Sequence, residues 1–183
     1  MRDVVLGVMA PDYFQIFDLP RKLSIDAFHL EQRFYELSRK LHPDRFLRAT
    51  AAERERSLEA SALLNDAYRT LRNPVARAEH LLKLEGREAD GSAQAPPELL
   101  AEVFELNEAL EEVRDGREAA RPGLERDWQR FLVLLGEADA HLDSLSRRYD
   151  SGEPGALEQI RTVLMRRRYL ANLLAQVDRV LVP

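Results

Sequence analysis

The feature that most constrains this chain is a helical stripe cut off by a proline. Ala27, Leu30, Phe34, Leu37 and Leu41 recur at spacings of 3, 4, 3 and 4, which places them on one face of an α-helix. Pro43 comes two residues after the last of them. Its ring disfavours helical backbone at His42, so the helix stops there. Thr50-Ala51-Ala52-Glu53 then has the capping-box pattern that opens a second helix. His42-Pro43-Asp44 is thus a stiff, exposed corner between two helices. As a bare tripeptide it is common and reads first as an ordinary helix connection.

The same punctuation organises the rest. Asp12-Tyr13-Phe14-Gln15-Ile16-Phe17-Asp18-Leu19-Pro20 reads as one helical turn with aromatic anchors, closed by Pro20. Ser24 is the expected cap of the helix that runs to about Leu41. The helix after Thr50 is expected to carry Leu58, Ala62, Asn65 or Asp66, and Leu71. It ends at Asn73-Pro74, which caps and opens a further helix reaching Leu84 and stopping at Gly86. Residues 86–97 are rich in Gly, Ser and Pro and mark a linker. Beyond it, three longer helices are expected over about Glu98–Asp115, Gly123–Tyr149 and Ala156–Val182. Short connections between them favour an antiparallel bundle. No alternating β pattern occurs, so the fold class is all-α.

Composition removes several functions. With 45% hydrophobic and 32% charged residues the chain reads as a globular, helix-rich protein. A net charge of −5 argues against a nucleic-acid binder relying on a broad basic field. The absence of cysteine excludes disulfides, thiolate metal sites and cysteine nucleophiles. Arginine supplies nearly all the basic charge, since Lys22, Lys40 and Lys83 are the only lysines, a pattern read as coding bias. The run Val4–Met9 is far shorter than the roughly 20 residues a spanning helix needs. It also lacks the features of a signal or transit peptide. It reads as a disordered or loosely docked leader, and a cytoplasmic protein is the expectation.

In this context the corner carries more weight. A short aromatic helix followed by a helical hairpin with His42-Pro43-Asp44 at its turn resembles the J-domain of co-chaperones that act on chaperones of the 70-kDa heat-shock class. The segments Tyr13–Pro20 and Asn65–Leu82, the latter with Asn73-Pro74-Val75-Ala76-Arg77-Ala78-Glu79-His80, narrow the resemblance to the HscB family of iron–sulfur assembly co-chaperones. The similarity is close over residues 12–85. It extends to 183 as a helix pattern, because that family has a C-terminal three-helix bundle. The resemblance implies a J-domain at 12–85, a linker at 86–97 and a scaffold-binding bundle at 98–183. It also implies a bacterial-type member, since the cysteine-rich module of some eukaryotic members is absent.

The resemblance assigns the corner to the contact that triggers ATP hydrolysis by the partner chaperone, an HscA-type protein. Physically, Asp44 is a carboxylate on a stiffened backbone, suited to a bidentate pair with a partner arginine. His42 offers a hydrogen bond at the same corner. Arg21, Lys22, Arg33, Arg39, Lys40, Arg45 and Arg48 outnumber Asp26, Glu31, Glu36 and Asp44 between residues 21 and 50. A solvated helix face explains such a run, but beside the corner it reads as steering toward an acidic surface. The expected chaperone-binding residues are His42, Pro43, Asp44, Arg33, Arg39, Lys40 and Arg45. Arg45 stands where the family usually has lysine, which keeps charge but changes geometry.

The first bundle helix has more apolar surface than its core needs. Leu99, Val103, Leu106, Leu110 and Val113 form the expected core stripe, while Leu100 and Phe104 lie well around the helix from it. Eight acidic residues, among them Glu105, Glu108, Glu111 and Glu112, crowd residues 98–118. Arg161, Arg166, Arg167 and Arg168 on the last helix are candidate partners for some of them. An apolar pair rimmed by carboxylates fits a protein-docking patch. The family resemblance implies that Leu100, Ala101, Phe104, Glu105, Glu108 and Glu112, with Tyr169 on the last helix, bind an IscU-type iron–sulfur scaffold protein. Ala101 is smaller than the family norm, which makes the patch shallower. Trp128 and Phe131 read as core.

Two other readings compete. A J-domain protein serving a different client predicts no preference for the scaffold; the Gly/Phe-rich region and zinc repeats of general J-proteins are missing. A hydrolase using His42 and Asp44 lacks an enclosed site, a nucleophile motif, a phosphate loop and metal-ligand spacing. His29, His80 and His141 are isolated and read as surface or satisfied helix residues. No cofactor or metal is expected on this chain: ATP would bind the chaperone and the cluster the scaffold.

Overall fold

The computed structural model describes residues 11–42, 50–88 and 100–181. Among them it has seven α-helices and no strand: α1 (Tyr13–Ile16), α2 (Ala27–Leu41), α3 (Ala51–Arg72), α4 (Pro74–Leu84), α5 (Leu100–Arg114), α6 (Arg121–Asp150) and α7 (Ala156–Leu181). A 3-10 turn, Glu118–Ala120, leads into α6. The leader Val4–Met9, Leu99 and residues 89–97 of the expected linker lie outside the described residues.

Capping sets the boundaries. Asp12 opens α1 by accepting from the Phe14 N–H at 3.0 Å. The cap of α2 is Asp26, whose carboxylate accepts from the Phe28 and His29 amides, not Ser24 as the sequence predicts. Ser24 is held elsewhere: its amide donates to Asp150 Oδ2 at 2.7 Å, and the Leu23 amide donates to Oδ1 at 2.8 Å. A backbone pinned by a residue distant in the chain leaves the helix to start at the next acceptor. The Thr50 capping box forms as expected, with Thr50 Oγ1 accepting from Glu53 N–H and Glu53 Oε2 accepting from Thr50 N–H at 2.8 Å. Asn73 caps α4 and Pro74 takes its first position. Gly86 ends it with φ +65°, a left-handed backbone that lets Arg87 N–H reach the Leu82 carbonyl at 2.8 Å.

Contacts gather the chain into two compact units. The first holds residues up to Glu88 together with Ser146–Pro154. Its core contains Phe14, Phe17, Leu23, Leu30, Leu64, Leu71, Ala78 and Leu81. α2 and α3 run antiparallel, since Leu41 meets Ser57 and Ser61 while Phe34 stacks on Tyr68 at 4.2 Å. The buried positions of α3 are Ser57, Leu64, Ala67 and Leu71. The predicted Leu58 and Ala62 are exposed. The first half of α3 has few large apolar residues, so the second half sets the register, and Ser57 follows it inward. Arg77 donates to the Leu71 carbonyl at the end of α3. Burial works against its charge, and Asp150 opposes that effect.

The second unit holds Ala89–Leu145 and Gly155–Pro183. Its core joins Val103, Leu106, Leu110 and Val113 of α5 to Leu124 and Phe131 of α6 and to Leu170, Leu173, Leu174 and Val177 of α7. Each large side chain so buried contributes about 1.5–3 kcal/mol. α6 and α7 are antiparallel. Arg121 reaches the Leu181 carbonyl, Trp128 Nε1 donates to Asp178 at 2.7 Å, and Arg167 pairs with Asp139 at 2.5 Å. Phe131 is fully in the core, whereas Trp128 packs at its margin with its N–H satisfied. Among the described residues no helix is long and apolar enough to cross a membrane.

Candidate docking surfaces

The last turn of α2 carries Arg39 and Lys40, where cations complement the negative end of the helix dipole. Both side chains are exposed, as is His42, which leaves the helix with φ −59° and ψ 128°. Pro43, Asp44 and Arg45 lie outside the described residues. Arg33 differs from its neighbours. It is half-buried and forms ion pairs with Asp18 and, at 3.0 Å, with Glu36. Asp18 sits at φ +54°, a left-handed position just past α1 that a short acidic side chain tolerates. Arg33 therefore ties α2 to the turn after α1, and its charge is shared before any partner arrives.

The sequence reading passed over two aromatic residues on α2. Phe28 is 66% and Tyr35 53% exposed, one heptad apart and in line with Arg39. The available signal was their displacement from the Leu30–Phe34–Leu37–Leu41 stripe.

α5 presents the second surface. Leu100 is 54% and Phe104 70% exposed, although the opposite side of the same helix is core. Ala101, Glu105 and Glu108 are exposed beside them. Glu105 and Glu108 have no ion pair among the described residues. Glu112 is half-buried and pairs with Arg117 at 2.6 Å. Tyr169 is half-buried against the bundle core, and that burial raises its pKa. Of the arginines on α7, Arg161 pairs with Glu158 of its own helix, and Arg167 pairs with α6. Leu100, Ala101, Phe104, Glu105 and Glu108 thus share a continuous strip of helix surface, an apolar pair bordered by carboxylates.

Among the described residues, no cluster of His, Asp or Glu is placed to hold a metal ion. His29 and His141 are exposed. His80 is buried and satisfied: its Nε2 accepts from the Tyr13 N–H at 3.2 Å, and its ring stacks on Tyr13 at 4.3 Å.

The family model for the HSCB C-terminal oligomerisation domain matches residues 95–178. A co-chaperone protein HscB homolog from Azoarcus is 34% identical over 171 residues, 91% of this chain and 92% of the relative. One from Vibrio vulnificus is 44% identical over 112 residues, a match that spans 59% of this chain and 64% of that relative's length. The solved chaperone HscB from Vibrio cholerae has a TM-score of 0.66 at 29% identity, covering 93% of this chain and 97% of that one. The present chain is all-helical among its described residues, with the α2–α3 hairpin of a J-domain followed by the helical bundle of α5, α6 and α7, and it shares its fold with that structure.

Proposed function

The chain belongs to the HscB co-chaperone family, and on that premise we propose that it stimulates the ATPase of an HscA-type 70-kDa heat-shock-class chaperone and delivers an IscU-type iron–sulfur scaffold protein to it. The observation that carries the reading is Phe104, 70% exposed beside Leu100 on a helix whose other face is already core. A monomer gains nothing from such a pair in water, whereas a partner that buries it gains a compact apolar anchor. The unpaired Glu105 and Glu108 add charge selectivity at the rim.

Residues 12–85 form the chaperone-facing J-domain, 86–97 the linker and 98–183 the scaffold-facing part. His42, Pro43 and Asp44 deliver the trigger, with Arg39, Lys40 and Arg45 steering the approach and Arg33 in a lesser part because of its ion pairs. Leu100, Ala101, Phe104, Glu105, Glu108, Glu112 and Tyr169 receive the scaffold. The chain itself is an adaptor without catalytic residues or cofactor, working in the bacterial cytoplasm.

Stimulation of the chaperone's single-turnover ATPase, measured with and without scaffold, tests both ends. Substitution of His42 or Asp44 abolishes stimulation with either, and Phe104→Ala removes only the increment that the scaffold adds. Phe104→Ala is expected to weaken scaffold binding by about 2 kcal/mol, the scale of an interface hot spot. Equal binding by wild type and Phe104→Ala would move the contact away from Phe104, and no binding by either would reassign the chain to a different client.

A further inference from the structure

The carbonyl of Leu41 is the last of α2 and lacks an intrahelical donor, as do all carbonyls in a final turn. Here it receives two. Ser57 Oγ donates to it at 2.7 Å and Ser61 Oγ at 3.0 Å. The two serines are one turn apart on α3, so both hydroxyls leave from the same face. Ser57 is only 4% exposed, one of the few buried polar residues among those described. A serine inside a helix ordinarily bonds back to a carbonyl of its own helix. Both of these reach across to another one, and both lone pairs of a single oxygen are filled.

That oxygen is one residue ahead of His42. The backbone turns there from helical to extended, with His42 at φ −59° and ψ 128°. The pivot of the corner is therefore pinned to the side of α3 before the chain departs. A carbonyl held by one donor still swings about that bond, whereas two donors from different directions restrict it.

We propose that Ser57 and Ser61 are positioning residues for the chaperone contact: through the Leu41 carbonyl they fix the direction in which α2 presents His42 to the partner. This rests on the reading of His42-Pro43-Asp44 as the ATPase trigger. Neither serine touches the chaperone. They act by reducing the entropy that the corner loses on docking, which affects affinity for the chaperone.

The experiment uses full-length protein and an HscA-type chaperone. Single-turnover ATPase stimulation is titrated for Ser57→Ala/Ser61→Thr and Ser57→Ala/Ser61→Val, which have nearly the same shape and differ in one hydroxyl, with Asp44→Asn as the reference. The valine variant is expected to need about two- to tenfold more protein for half-maximal stimulation than the threonine variant, the ratio that one lost hydrogen bond sets. Scaffold binding stays equal in the two. Amide exchange at Leu41 and His42 gives a reading independent of overall stability, and it is faster in the valine variant. Wild type against Ser57→Ala isolates the other hydroxyl in the same assay, and equal titrations and equal exchange in both comparisons, with Asp44→Asn inactive, overturn the role of the serines and leave the trigger intact. Full stimulation by Asp44→Asn overturns the trigger itself, and the serines' role falls with it.

Discussion

At the scale of single residues, His80 shows how a satisfied core group acquires a pH dependence. Its Nε2 accepts a hydrogen bond only while the ring is neutral. Burial lowers its pKa, Asp12 opposes that, and Lys83 and Arg21 reinforce it. The folded pKa is thus below the unfolded value near 6.5, so the stabilisation is fully present above that value and is lost as pH falls toward the folded pKa. Melting temperatures recorded from about pH 7 down to about pH 5 are expected to fall more steeply for the wild type than for His80→Gln, which keeps an acceptor but does not titrate. Parallel curves would show that His80 is not the titrating group. The sequence shows His80 only as an isolated histidine on a helix. Its role depends on Tyr13, 67 positions away.

Helical elements were the most legible part of the chain, because their ends are written locally. Thr50 with Glu53, Asn73 with Pro74, and Gly86 all act where their chemistry places them. Thr50→Ala is expected to cost about 1 kcal/mol, read as a lower denaturation midpoint with an unchanged slope. No shift would mean that the tertiary contacts of α3 hold its first turn without the cap. Two elements were misread for the same physical reason. Ser24 and Asp26 are both competent caps, and only the pull of Asp150 on the Leu23 and Ser24 amides decides between them. Leu58 is more apolar than Ser57, yet the register set by Leu64, Ala67 and Leu71 turns Ser57 inward, where its hydroxyl meets the Leu41 carbonyl. Hydrophobic periodicity records side-chain character, not the partner waiting on another helix.

For the molecule as a whole, Asp150 closes the longest-range polar contact among those described, from the end of α6 to the approach of α2 in the first unit. Asp150→Ala leaves two backbone amides without their acceptor. The expected loss is about 1–3 kcal/mol in chemical denaturation. A smaller effect from Asp150→Asn, which retains one acceptor oxygen, would separate lost hydrogen bonds from a general disturbance of the turn. Unchanged stability in both variants would show that water replaces the carboxylate at no cost.

The sequence alone determined what depends on neighbours along the chain: seven helices, most of their caps, the core stripe Val103–Leu106–Leu110–Val113, and an apolar pair at Leu100 and Phe104 left off that stripe. Spacing along a helix converts directly into direction around it, so those features need no knowledge of the partner helix. Tertiary structure alone decided which polar groups were already engaged. Arg33 is tied to Asp18, Ser57 and Ser61 to Leu41, His80 to Tyr13, and Asp150 to Leu23 and Ser24. Each of those pairs joins residues distant in the chain, and a hydrogen bond requires an alignment of donor and acceptor that only the packed helices supply.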